Sequence, residues 1–475
     1  MRIDVLPDDV LLEIFGFYVN KYSHYATKAE VETWHSLVHV CRRWRRIVFS
    51  SPHRLNLQLV CTPGTPARDT LDVWPALPLF IRRPLIGTSS VGSVDDIVVA
   101  LGHSNRICEV DLGAGQMEKV LAAMQVPFPE LTRLRLWSSD KSLPVTPDSF
   151  LGGSAPHLRV IDLWSIPFPG LPKLLLSATQ LIKLELSDIP HSGYFSPEAM
   201  VALLPVLFSL ETLHLYFRSP ESRPDLERRR PPPLKRSIIP SLKDLWFNGV
   251  NEYLEDLVAC IDAPQLHLLD VIFFKQIDFD TRQLTQFINR TPKFCTPHDR
   301  AYMQFDVSIV QAKLTYRTHE PGHASSQTII PYVSHPSSRT VISCGEPVRQ
   351  VSSIAQAFNS SLLPLSMVVV LTIEHKYYPQ LSNIDAVENT AWLGLLLPFT
   401  AVKNLYLGEH FAPGIAAALQ DLVGARIAEV LPSLQNIFVD KLRPSGRFQD
   451  NIREFVAARR LSGHPVAISV WNRLD

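Results

Sequence analysis

The first fifty residues carry three apolar stripes at helical spacing. Val10, Leu11, Ile14, Phe15 and Tyr18 make the first, Val31, Trp34, Leu37, Val38 and Cys41 the second. Trp44, Ile47 and Val48 make a shorter third, which ends at Ser50-Ser51-Pro52. Pro7 suits the opening turn of the first helix, because its fixed φ fits and its missing N–H costs nothing there. Asp8 and Asp9 then sit where the helix dipole favours negative charge. Three helices this short bury little apolar surface alone, so the pattern predicts docking on a partner or on the following domain.

Further along, the period changes and a template L-x-x-L-x-L recurs. Its copies are Ile107/Val110/Leu112, Leu131/Leu134/Leu136, Leu158/Ile161/Leu163, Leu181/Leu184/Leu186, Leu210/Leu213/Leu215, Leu242/Leu245/Phe247 and Leu266/Leu269/Val271. After a gap come Val402/Leu405/Leu407 and Leu434/Ile437/Val439. First positions of the earlier set lie 24, 27, 23, 29, 32 and 24 apart, and the last pair lies 32 apart. That scatter brackets the leucine-rich repeat of roughly 20–29 residues. Pro precedes many of the strands, as in Pro129-Glu130-Leu131, Pro156-His157-Leu158 and Pro432-Ser433-Leu434, where a residue without an N–H makes a fitting boundary. Segments 197–207 and 412–431 read as helices between strands. The prediction is an α/β chain: a small three-helix domain, then an irregular horseshoe solenoid alternating strand and helix.

Three domain spans follow: 1–55 for the helical domain, 56–105 for a connecting or capping segment, and 106–475 for the repeats. Between Ile272 and Thr400 there is room for about four more units, yet no stretch repeats the template cleanly. Strands are expected near 303–307, 313–316 and 367–373, with insertions near 219–237 and 322–350. The first insertion holds Arg228-Arg229-Arg230-Pro231-Pro232-Pro233, read as a solvated Pro-rich loop or a nuclear-import signal.

The opening stretch is more specific than its periodicity. Leu6-Pro7-Asp8-Asp9-Val10-Leu11-Leu12-Glu13-Ile14-Phe15, then Leu37-Val38-His39-Val40-Cys41-Arg42-Arg43-Trp44-Arg45-Arg46-Ile47, then Ser51-Pro52, closely resembles an F-box. The family pattern is a Leu-Pro opening, a hydrophobic helix, a Val-Cys-basic-x-Trp centre and a Pro-marked exit. Residues 20–33 depart from it, being longer and more polar than the usual turn. With the degenerate repeats behind it, the order resembles the F-box proteins abundant in basidiomycete fungi. Their typical exit is matched by the stretches 55–62 and 71–79.

Composition narrows the function classes. Lys plus Arg and Asp plus Glu are 46 each among 475 residues, so the formal net charge is zero. That balance argues against a chain held on nucleic acid or on anionic lipid by bulk charge. The four arginines around Trp44 are therefore read as a solvated face rather than a DNA-reading patch. Pro is 38 and Gly only 20, which disfavours glycine-rich nucleotide loops. The six cysteines show no CxxC spacing and are too sparse for a disulfide scaffold. No apolar run is long enough to span a bilayer, and the first residues carry acids where a signal peptide has its apolar run. The reading is a cytoplasmic or nuclear protein.

Near-matches to catalytic motifs lack the local geometry that their chemistry needs. His319-Glu320-Pro321-Gly322-His323 matches H-E-x-x-H, but Pro-Gly inside the turn breaks the helix that would bring both histidines to one zinc. There is no phosphate-binding loop and no G-x-S-x-G elbow. No enzyme activity, cofactor or metal is expected of this chain.

What the F-box resemblance implies is a substrate-recognition subunit of an SCF-type cullin–RING ubiquitin ligase. Its first domain would dock on a Skp-type adaptor through Leu6, Pro7, Val10, Leu11, Ile14, Phe15, Leu37, Val40 and Trp44. The repeats would bind a target protein on their concave face, where side chains alternate with the inward template positions. The candidates there are Arg135, Trp137, Asp162, Trp164, Glu185, His214, Tyr216, Trp246 and Asn248. Aromatic rings among charges of both signs are typical of a binding patch. The alternatives are a non-ubiquitylating scaffold and a ligand-binding repeat receptor.

Overall fold

The computed structural model describes residues 6–20, 33–52, 55, 57–62, 71, 74, 76–82, 94–113, 116–225, 235–274, 282–292, 300–306, 311–317, 337–343, 351, 355, 365–375, 387–422, 424–440 and 447–471. The chain forms two compact units, Met1–Phe195 and Ser196–Asp475. The division falls inside the span expected to be one repeat domain.

The first unit begins with helices α1 (Asp8–Asn20), α2 (Thr33–Val38) and α3 (Arg42–Ser50). Pro7 lies just outside α1, and its carbonyl accepts the Leu11 N–H at 3.1 Å, closing the first turn. Cys41 caps α3 with its sulfur, which accepts the Trp44 N–H at 3.4 Å. The apolar residues on α1 split into two faces. Leu11 and Phe15 turn inward onto Trp34, Leu37, Val38, Ile47 and Val48, all buried. Burying side chains of this size contributes about 1.5–3 kcal/mol each.

Six parallel strands follow: β1 (Leu59–Cys61), β2 (Leu79–Arg82), β3 (Ile107–Gly113), β4 (Arg133–Trp137), β5 (Val160–Trp164) and β6 (Lys183–Ile189). They pair in sequence order. The segment read as a connector thus supplies the first two strands of the sheet.

In the second unit the strands β7 (Thr212–Phe217), β9 (Asp244–Gly249) and β11 (Leu268–Phe273) continue the same parallel pattern. A short pair, β8 (Ser237–Ile238) and β10 (Ile261–Asp262), lies apart from this sheet. In all nine copies of the template the three apolar positions are buried, from Ile107, Val110 and Leu112 to Leu434, Ile437 and Val439. The strands with helices between them form a mixed α/β fold of leucine-rich-repeat type. Helices over Pro197–Leu203 and Ala412–Gln420 stand where the spacing predicts them.

The template-free stretch is built differently. β12 (Arg300–Asp306) and β13 (Gln311–Arg317) form an antiparallel pair, and β14 (Ser337–Ser343) runs antiparallel to β13 and parallel to β11. The order is therefore β11-β14-β13-β12-β15, with β15 being Val370–His375. Only residues 307–310 join β12 to β13, too few for a parallel crossover, which needs a dozen or more. Among the described residues, the room for about four regular units thus holds a folded-back strand set, followed by the parallel β15. β14 lies inside the stretch read as an insertion. The parallel pattern resumes with β16 (Asn404–Leu407), β17 (Asn436–Asp440) and β18 (Ala467–Trp471). The H-E-x-x-H stretch and the run from Arg228 to Leu234 lie outside the described residues.

Candidate functional site

Two kinds of surface collect the residues singled out in the sequence. The first is on the helical domain. Val10, Ile14 and Phe17 recur at i, i+4 and i+7 on the outer side of α1, with exposures of 39%, 47% and 78%. Tyr18 at the flank and Val40 after α2 are also exposed, as is Pro7. Trp44 and Leu6 are half-buried, Trp44 lying 4.7 Å from Phe15, ring to ring. Of the nine adaptor-facing candidates, Leu11, Phe15 and Leu37 point into the domain's own core. They support the face rather than form it. Phe17 and Tyr18 belong to it instead, and the i+7 spacing from Val10 was the available signal for Phe17.

The arginine cluster holds this face in place. Arg43 donates from Nη2 to the Leu6 carbonyl at 2.5 Å and to Asp8 Oδ1 at 2.7 Å, with Nε on the same oxygen at 3.0 Å. Arg45 Nε donates to the Val38 carbonyl at 3.0 Å, at the end of α2. Two of the four arginines are thus internal clamps, not merely solvated.

An aromatic box ties the helices to the chain that follows. The Trp74 ring lies 4.6 Å from His35, stacked at 15°, and 5.1 Å from Trp34. Trp34 Nε1 donates to the Gln58 carbonyl at 3.1 Å. Burial, with the neighbouring His39 second, pushes the His35 imidazole down to about 4, so it is neutral near pH 7.

The second kind of surface is the sheet face that alternates with the buried template positions. In the first unit Asp111, Arg135, Asp162 and Glu185 stand in one register row, and Trp137 and Trp164 are paired in the next. Arg135 lies between two carboxylates, 4.0 Å from Asp111 and 3.7 Å from Asp162. Burial, and then the Glu185 charge, holds the Asp162 carboxyl above the usual carboxylate range. Both tryptophans remain open, at 43% and 46% exposure.

The second unit treats its candidates differently. His214 and Trp246 are register partners with rings 5.1 Å apart, and His214 stacks on Tyr216 at 6.0 Å. These rings pack on one another and are half-buried, as is Asn248. Asp270, beside Trp246 in register, is buried rather than facing solvent. Near the last strand, Tyr406 stacks on Phe438 at 4.5 Å, with Trp471 edge-on at 5.4 Å. Phe438 and Trp471 were not picked out in the sequence, because nothing in the template marks an outward position as aromatic.

The family model for F-box-like domains matches residues 3–58. The helical segment is an F-box-like domain. No curated protein matches the chain. Among solved structures, the leucine-rich repeat-containing protein LegL7 from Legionella pneumophila is similar at 12% identity, with 84% of this chain and 97% of that chain covered and a TM-score of 0.25. This chain joins an F-box-like domain to strands and helices that follow the repeated L-x-x-L-x-L template. Such an architecture is typical of adaptor and interaction proteins. No helix among the described residues is long and apolar enough to cross a membrane.

Proposed function

We propose that this chain is the substrate-recognition subunit of an SCF-type cullin–RING ubiquitin ligase. The observation that carries the reading is the uncovered apolar stripe of α1 within the F-box-like domain: Val10, Ile14 and Phe17, with Val40 and Pro7 alongside. An apolar patch of this kind on a small domain marks a protein-docking face. Here it takes a Skp-type adaptor, which links the chain to the cullin. The Leu6-Pro7 opening, gripped by Arg43, sets the edge of that face.

The repeats hold the target protein on their open sheet face, with Arg135, Trp137, Asp162, Trp164 and Glu185 in the first unit and His214, Tyr216, Trp246 and Asn248 in the second. The mechanism is positioning. Holding the target beside the ubiquitin-charged enzyme raises the effective concentration of its lysines, and no catalytic group is required of this chain. Its place of action is the cytosol or the nucleus.

Reconstitution with adaptor, cullin, RING subunit and a ubiquitin-charged enzyme tests the reading. Ubiquitin transfer to the bound chain or its target, absent with an Ile14→Asp variant, supports it. Adaptor binding with no recruitment of the cullin would leave the non-ubiquitylating scaffold as the function.

A further inference from the structure

The open face of the first unit has a chemistry that selects its occupant. Trp137 and Trp164 are direct register partners on adjacent parallel strands, whose backbones run about 4.8 Å apart. Among the described residues neither indole has a ring or a cation against it. Two large aromatic side chains, each close to half exposed and in one register row, offer flat apolar surface to a ligand.

In the row beside them three carboxylates, Asp111, Asp162 and Glu185, stand in register with Arg82 and Arg135. Arg135 faces Asp111 and Asp162 only at ion-pair distances of 4.0 and 3.7 Å, too long for hydrogen bonds. Asp162 accepts no hydrogen bond among the described residues, although its side chain is only 29% exposed. Glu185, its register partner, adds a second carboxylate, shared with Lys183 at 2.5 Å. Burial first, and then the Glu185 charge, raises the Asp162 carboxyl, with Arg135 and Lys183 opposing the rise. A half-buried carboxylate without donors, next to open indole faces, is complementary to a planar cation. A guanidinium donates two parallel N–H bonds to a carboxylate and also stacks on aromatic faces.

Spacing sets the form of the ligand. Asp162 and Trp164 are two residues apart on one strand, so their side chains emerge about 6.6 Å apart. That is also the distance between alternate side chains of an extended peptide. We propose that this face holds an extended, arginine-bearing segment of the target protein. One guanidinium sits on Asp162 and Glu185, and a side chain two residues away lies across Trp164 and Trp137. The inference rests on the reading that the repeats bind a protein target, and it names the chemistry that the target presents.

The test is fluorescence anisotropy of a labelled peptide of alternating Arg and Ser, added to the full chain, with a Glu-Ser counterpart as control. Saturable binding of the Arg-Ser peptide that weakens with added salt is expected. Trp164→Ala and Asp162→Asn should each raise Kd about tenfold or more, whereas Leu176→Ala, at an exposed position of the same unit, should leave it unchanged. A cooperative thermal melt with a midpoint no lower than that of the wild type establishes that each variant is folded, and Trp164→Phe gives an intermediate loss. Equal binding of the Glu-Ser peptide, no saturable binding, or full affinity in both Trp164→Ala and Asp162→Asn would overturn the proposal. Adaptor binding by the same preparations is read separately. A chain that binds adaptor but not the peptide loses this inference alone, and one that binds neither loses the receptor reading as well.

Discussion

Arg43 grips Asp8 across 35 residues of sequence, with Nη2 and Nε on one carboxylate oxygen at 2.7 and 3.0 Å. The same guanidinium reaches the Leu6 carbonyl, so a single side chain on α3 fixes both sides of Pro7. That fixation sets where the first turn of α1 begins, and hence the rotation of its outward stripe. Arg43, at the x position of the Val-Cys-basic-x-Trp centre, is thereby a positioning residue for the docking face rather than a member of it.

Arg43→Lys tests that role. A lysine provides one point of charge and cannot hold both the carbonyl and the carboxylate. The pair is partly exposed, so the loss in stability should be small, about 1 kcal/mol. The loss in adaptor affinity should be larger than this, because the edge of the face is released. Calorimetry against adaptor, beside chemical denaturation, separates the two. Equal small effects on both would refute the positioning role.

His35 makes the helical domain sensitive to acid. Its folded value, about 4, lies below the ordinary 6.5, so the unfolded chain takes up its proton first as pH falls. The stabilisation is complete above about pH 6.5 and is lost progressively toward pH 4. Tryptophan fluorescence should therefore show the Trp34–Trp74 contact melting at lower temperature as pH drops through that window. His35→Phe keeps a ring against Trp74 and should flatten the dependence. An unchanged slope in that variant would refute the assignment.

Asp162 has the opposite sign. Its folded value lies above the unfolded one, so its contribution to stability is present at low pH and lost as pH rises through the folded value. At neutral pH the ionised group is a burden. Asp162→Asn should raise the melting temperature at pH 7 by about 1–2 °C, with the difference vanishing well below the ordinary carboxylate range. Destabilisation at pH 7 would mean that the Arg135 contact outweighs burial and Glu185.

The last helix, Arg447–Leu461, carries a fully buried arginine. Arg459 Nη2 donates to the Pro432 and Leu434 carbonyls at 3.1 Å each, and its ring-side neighbour is Phe455 at 5.9 Å. It thus ties the helix to the turn entering β17, where Leu431 sits at φ 49°. Arg459→Met keeps the volume but strands two carbonyls, and should cost about 2–3 kcal/mol in urea denaturation. A cost below about 0.5 kcal/mol would show that solvent replaces the guanidinium without penalty.

The nine template strands were legible because every one buries three apolar positions at a fixed offset, and only a strand followed by a turn back does so. β1 was not, since Leu59–Cys61 is buried on both sides and too short to alternate, and β2 spans only the four residues Leu79–Arg82. β12, β13 and β15 stand where strands were expected, and β14 escaped for a different reason. Ser337–Ser343 is polar enough to read as loop, and its strand state depends on pairing with β11 and β13. On α1, Leu11 and Phe15 were indistinguishable from Val10 and Ile14 by hydrophobicity, and only packing tells inner from outer. The tryptophans show the same limit. Trp164 and Trp246 both alternate with buried template positions, yet one is open and the other packs on His214.

The central claim is that the outward stripe of α1 docks an adaptor. Co-expression with a Skp-type adaptor and size-exclusion chromatography measures it directly, comparing the wild type with Ile14→Asp and with a Leu6→Ala/Pro7→Ala double variant. The account predicts a stoichiometric complex with the wild type and none with Ile14→Asp, whose side chain is exposed, so the change should leave the domain folded. A complex that survives Ile14→Asp, or a folded wild-type chain that forms none, would contradict it.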